Sequence, residues 1–121
     1  MTASRFAHRR LRVYVAGPYT RGDVAANVAA AMDCGDQLIR AGFAPFVPHL
    51  SHFLHLHHAQ PYKVWLDLDL EWLPLCDVMV RLPGESPGAE IETVRATELG
   101  IPIVRLNGLS PIEDQIESVL K

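Results

Sequence analysis

Two cysteines in 121 residues are too few for a disulfide framework. Cys34 and Cys76 form neither a CxxC pair nor a metal-ligand pattern, so two reduced thiols in a cytoplasmic protein are expected. No apolar run approaches the length that crosses a membrane. Basic charge is not in excess either. A formal net charge of −3 argues against a surface for nucleic-acid polymers, which is normally basic. Arg5, Arg9, Arg10 and Arg12 crowd the start of the chain around His8, but the apolar core of a signal peptide is missing there. Residues 1–10 are read as a flexible leader to one domain, 11–121. Repeats, linkers and low-complexity tracts are absent. So are GxGxxG and the P-loop lysine motif, which counts against dinucleotide binding and ATP hydrolysis.

What remains is an ordinary globular composition, 49% apolar and 21% charged, in a chain long enough to bury about two-thirds of its unfolded surface. Leu11–Ala16 is a β-branched and aromatic run closed by Gly17-Pro18, a first strand and its turn. Ala25, Val28, Met32, Gly35 and Ile39 then recur at helical spacing, and Gly42 supplies a stop. Phe43–Val47 reads as a second strand ended by Pro48, and Ser51–Gln60 as a histidine-rich loop. Lys63–Leu73 is ambiguous, because Leu-Asp-Leu-Asp-Leu-Glu-Trp alternates like a strand. Pro61, Pro74 and the pairs Trp65/Leu66 and Trp72/Leu73 favour a helix. Asp77–Leu82 is a third strand, Ala89–Leu99 a helix, Ile101–Leu106 a fourth strand, and Pro111–Leu120 a closing helix with Ser110 as N-cap. Strands alternating with helices imply an α/β domain, a small doubly wound parallel sheet of flavodoxin- or Rossmann-like type with helices on both faces.

The stretch Cys76–Arg95 points to a site. An apolar run, Val78–Leu82, empties into a Gly/Pro/Ser turn followed at once by a helix with Glu90 and Glu92. That places N–H groups, a serine hydroxyl and a carboxylate at the rim where open α/β sheets bind ligands. On a helix, Asp69 has Trp65, Leu66, Trp72 and Leu73 as its neighbours, a setting that would desolvate the carboxyl and raise its pKa. A surface position for Asp69 fits the alternation equally well. Glu92 shares a helix face with Ala96 and Leu99, yet acids near a helix N-terminus are common without any catalytic role. Ser86 and Gly88 form an anion-binding candidate at that N-terminus. Gly17, Pro18, Tyr19 and Arg21 form a second turn, in which the arginine could pair with phosphate. His49, His52, His55, His57 and His58 lack acidic or cysteine partners at ligand spacing, so a loop packing beside the site is favoured over a zinc centre.

Together these residues resemble one family, the nucleoside 2-deoxyribosyltransferases and the related deoxynucleoside monophosphate N-glycosidases. The resemblance covers nearly the whole chain after the leader. Its marks are a tyrosine strand running into a glycine turn, Val13-Tyr14-Val15-Ala16-Gly17-Pro18, then Asp69-Leu70-Glu71-Trp72-Leu73. Cys76-Asp77 opening a strand follows, and last Ser86-Pro87-Gly88-Ala89-Glu90-Ile91-Glu92 with Arg95-Ala96 beyond. The "AGPYT" opening and the "PHLSHF" segment look more like small phage and bacterial members.

The resemblance implies an enzyme without metal or organic cofactor. Glu92 matches the nucleophile, Asp69 the carboxylate that handles the leaving base or orients the sugar, and Tyr14 the tyrosine that positions the nucleophile. Ser86 and Arg21 match groups that hold a 5′-phosphate, although Glu85 adds a negative charge there and tilts the balance towards nucleosides. Asn107 or Ser110 of a neighbouring copy could complete the site, which implies a homodimer or higher homo-oligomer. The expected function is cleavage of an N-glycosidic bond, releasing base or transferring the sugar to a second base. A non-catalytic nucleotide-binding or sensing module of the same fold is the alternative. Retention of both Asp69 and Glu92 favours the enzyme, since two carboxylates bring no advantage beside an anionic ligand.

Overall fold

In the computed structural model, which describes residues 9–120, four strands form one all-parallel sheet. The strands are β1 (Arg12–Ala16), β2 (Ala44–Phe46), β3 (Val78–Arg81) and β4 (Ile103–Arg105), in the order β2-β1-β3-β4. Five helices accompany them: α1 (Val24–Arg40), α2 (Ser51–His57), α3 (Tyr62–Trp72), α4 (Pro87–Glu98) and α5 (Ile112–Leu120). Short 3-10 turns at Pro48–Leu50 and Leu73–Leu75 lead into α2 and out of α3.

Alternation along the central strands divides the core. Val13 and Val15 of β1 and Val78 and Val80 of β3 face α1 and α5, where Ala31, Cys34, Leu38, Ile112 and Ile116 cover them. Tyr14, Ala16 and Met79 point to the other face, under Leu73 and the α4 residues Ala89 and Ala96. A doubly wound sheet follows from this period-two division between two apolar layers. Register pairs Tyr14 with Met79 and Ala16 with Arg81, so β1 and β3 end level with each other. The chain turns from β1 towards β2 on one side and towards β3 on the other. The C-terminal ends of β1 and β3 therefore flank the topological switch point, where open α/β sheets form their crevice.

Three sequence expectations need correction. The Ser51–Gln60 segment is not all loop: Ser51–His57 is helical, because Leu and His tolerate a helix and Pro48 occupies the first turn of the 3-10 segment that nucleates it. Ser110 is not the N-cap of α5; the carbonyl of Pro111 accepts the Gln115 N–H at 3.2 Å, placing the helix start one residue later. Of the proposed leader, residues 1–8 lie outside the described residues. Arg9 is anchored: its guanidinium grips Asp77 at 2.6 and 2.9 Å, and Asp77 also takes the Arg12 N–H at 2.8 Å. Burial pushes the Asp77 carboxyl up, but Arg9 and that N–H more than offset it and hold it below its usual value.

The turn after β1 has no space for a side chain at its first residue. A Cβ on Gly17 would stand 2.9 Å from the Cβ of Leu82, which the sheet fixes. Gly17→Ala is expected to lower stability by about 1–3 kcal/mol, read as a lower urea midpoint with an unchanged slope.

Candidate active site

A cavity of about 310 Å³ opens at the switch point. One wall is α4. Ser86 caps it, its Oγ accepting the Ala89 N–H at 3.1 Å, and Pro87 takes the first helical position. This start puts Glu92 in the second turn on the sheet side, 6% exposed. The Tyr14 hydroxyl, rising from the middle of β1, donates to Glu92 Oε2. Burial pushes the Glu92 carboxyl up to about 8, with the Asp69 charge adding to the rise and the Tyr14 bond and Arg81 opposing it. Burial, together with Glu92 and Asp69, raises Tyr14 so far that it stays a protonated donor.

The facing wall is α3. Tyr62, Trp65, Leu66 and Asp69 recur at three and four and all line the cavity. Asp69 is half-buried, and desolvation raises its carboxyl to about 7. Lys63 and Asp67 pair with each other on another side of the helix at 2.5 Å. The two carboxyls expected to act together thus line the same cavity, one from α3 and one from α4. The Tyr62 hydroxyl reaches across to α4, sitting 1.8 Å from where a Cβ on Gly88 would be. Glycine at 88 is what lets this phenol lie over the start of α4.

The third wall is the turn after β1. The Asn27 side-chain amide donates to the carbonyls of Tyr19 at 2.9 Å and Arg21 at 2.7 Å and so pins it. Gly17, Tyr19 and Arg21 line the cavity. Pro18 does not; it packs under Gly84, whose φ of +116° suits glycine and where a Cβ would lie 2.8 Å from the proline ring. Arg21 is tied at its outer end to Glu85 at 2.8 Å. His49 closes the floor, its Nε2–H donating to the carbonyls of Pro18 at 2.9 Å and Gly17 at 3.2 Å. Burial lowers its pKa, so the ring is neutral, and its Nδ1 is buried with no protein partner.

Ser86 and Gly88 stand in the cavity wall as expected. Asn107 and Ser110 do not reach the cavity of their own chain. Asn107 takes the Leu109 N–H on its Oδ1, and the Gln115 amide donates to the carbonyls of Asn107 at 2.9 Å and Ser110 at 2.7 Å. Among the described residues, no group of three or more His, Cys, Asp or Glu is placed to hold a metal ion.

Sequence reasoning did not single out Tyr62 or Arg81. Arg81 ends β3 and is buried, donating to the carbonyls of Leu82 and Gly84 and to Glu90. It fixes the turn leading to Ser86 and brings a positive charge near Glu92. The one available signal was an arginine closing an otherwise apolar strand. Tyr62 carried no signal beyond following a proline.

Chemically, the cavity offers two carboxyls that are only partly ionised near neutrality and neutral hydroxyl donors. The family model described as Domain of unknown function (DUF7768) matches residues 11–106. No curated protein matches the chain.

Because the folded chain binds protons more tightly at Glu92 and Asp69 than the unfolded chain does, stability falls as pH rises through about 7 to 8. Glu92→Gln removes the larger part of this penalty. Its thermal midpoint is expected to exceed that of the unaltered protein by several degrees at about pH 9, with the gain shrinking towards about pH 5. Thermal unfolding at both pH values checks the sign.

Proposed function

The chain belongs to the DUF7768 family, and we propose that it cleaves N-glycosidic bonds of nucleosides or their 5′-monophosphates. Glu92 is the nucleophile and Asp69 the proton donor. The observation that carries this reading is the pair of carboxyls raised towards neutrality on opposite walls of one cavity. Two carboxyls in one cavity, one to attack and one to donate a proton, are the groups that glycosidic cleavage uses.

The anomeric carbon gains oxocarbenium character as the C–N bond lengthens, and Glu92 attacks it to form an ester. The bonding electrons leave with the base, which takes the proton of Asp69. The resulting Asp69 carboxylate then draws a proton from water, whose oxygen releases the sugar and restores Glu92. A second base in place of water gives transfer. Burial raises both carboxyls, Glu92 to about 8 and Asp69 to about 7. The reacting form, with Glu92 ionised and Asp69 protonated, is therefore the minor of the two one-proton forms, and Tyr14 and Arg81 raise its share by favouring the Glu92 anion.

Two details support nucleosides over monophosphates. Arg21 is already neutralised by Glu85, and Ser86 Oγ already accepts the Ala89 N–H. The setting is read as cytoplasmic, with Cys34 and Cys76 free and buried and no helix among the described residues long and apolar enough to cross a membrane. A homodimer is the expected assembly. Val64, Leu68, Trp72 and Leu75 form an exposed apolar stripe along and just beyond α3, and Ile91 and Val94 another on α4, as a second copy would require.

Chromatography of free base released from a panel of nucleosides and monophosphates tests the reading. Glu92→Ala is expected to lose about 10³-fold or more of the rate. Binding that saturates without any release would identify a sensing module instead. The pH profile of kcat/KM is expected to be a bell with its maximum between about pH 7 and 8, since one carboxyl must be ionised and the other protonated. Tyr14→Phe removes a bond to the anion and should move the alkaline limb to higher pH; a profile flat from about pH 6 to 9 would contradict the two-carboxyl mechanism.

A further inference from the structure

Trp65 lines the cavity on the same stripe of α3 as Asp69, one turn away. Its indole Nε1–H donates to His55 Nδ1 at 2.8 Å, and the two rings meet edge to face, 5.9 Å apart at 77°. The same Nδ1 accepts the backbone N–H of Gln60 at 3.2 Å. An indole N–H and a backbone N–H can only donate, so His55 presents a lone pair to both. Nδ1 is therefore the acceptor of both bonds and carries no proton of its own. The bond from Trp65 takes the indole by its N–H edge, and the residue lines the cavity. It also spans two elements, because α2, which carries His55, has no buried residue and the bond ties it to the cavity wall.

We infer that Trp65 is the surface against which a flat heteroaromatic base lies, and that His55 is the positioning residue that fixes the indole by accepting its N–H. The ring's identity as a nucleobase rests on the proposed reaction; the stacking wall rests on the Trp65–His55 geometry. A base on Trp65 would have Asp69 at its edge and its sugar directed to Glu92 on the opposite wall, which is the order that proton donation and attack require. Stacking on an aromatic face is tolerant of base identity, since every base has a π-face. Trp65 would thus set the class of leaving group and not the individual base.

The test uses Trp72→Phe, which keeps a ring against Phe46, where Trp72 stacks at 6.0 Å, and leaves Trp65 as the one tryptophan in the chain. Adenine, thymine, their deoxynucleosides and free 2-deoxyribose are titrated while Trp65 emission is followed. Saturable quenching by the bases and nucleosides, with none by the sugar, is expected. His55→Leu in this background should weaken the apparent affinity about tenfold, the loss expected for a displaced stacking partner, and shift the emission to the red. His55→Asn keeps an acceptor at the same position and should restore affinity to within about threefold, which a purely structural role for the ring would not predict. Unchanged emission while base is still released overturns the inference and leaves the proposed reaction standing. Equal affinity in His55→Leu overturns the positioning role. Quenching without any release supports the inference and removes the reaction, and neither signal removes both.

Discussion

The contact between the Tyr14 hydroxyl and the Glu92 carboxyl joins the middle of the central strand to the helix that forms the cavity wall. An ionised carboxylate at such a depth costs several kcal/mol of lost hydration. The fold meets that cost in two ways, by letting Glu92 hold a proton into the neutral range and by supplying Tyr14 and Arg81 for its anion. Much of the local architecture can be understood from this requirement. Arg81 must be buried to act on Glu92, and its guanidinium then needs the carbonyls of Leu82 and Gly84 and the carboxylate of Glu90. Those bonds shape the turn that starts α4, and the start of α4 determines where Glu92 points.

The α3 helix shows how one element serves three surroundings at once. Its inward residues Tyr62, Trp65, Leu66 and Asp69 face the cavity, Lys63, Asp67 and Glu71 are exposed, and Val64, Leu68 and Trp72 form a second apolar strip open to solvent. No residue of this helix is fully buried. It borders a cavity where most helices border a core, so its side chains are left available for recognition.

The same feature explains what could and could not be read from the sequence. β1 and β3 are covered on both faces and so appear as continuous apolar runs, Val13–Ala16 and Val78–Val80, which are hard to mistake. The edge strands β2 and β4 have three residues each, and their expected limits ran beyond the paired residues because flanking apolar side chains pack without pairing. Three surfaces on one helix produce the Leu-Asp-Leu-Asp alternation that imitates a strand; only the flanking prolines and paired large residues pointed to a helix. At the site, Glu92 and Asp69 were marked as residues, but their meeting across a cavity depends on the packing of α3 against α4, which no local pattern encodes. Tyr62 and the His55–Trp65 bond were equally invisible, since each joins elements through a single side-chain contact. The helical state of Ser51–His57 was missed because that segment buries no residue of its own and is tied to the fold by side-chain bonds such as that from Trp65 to His55.

The order β2-β1-β3-β4 also bears on how the chain is made. Of the four strands, synthesis produces the inner strand β1 first, and both its neighbours come later. Until Ala44–Phe46 and then Val78–Arg81 leave the ribosome, Val13 and Val15 have no sheet to join and both edges of their strand are unpaired. The nascent chain therefore carries its stickiest segment for most of its emergence, and the cavity walls close only after α4 has followed. A chain with this strand order is thus exposed to misassociation during translation, at a stage when neither carboxyl yet has its partner across the cleft.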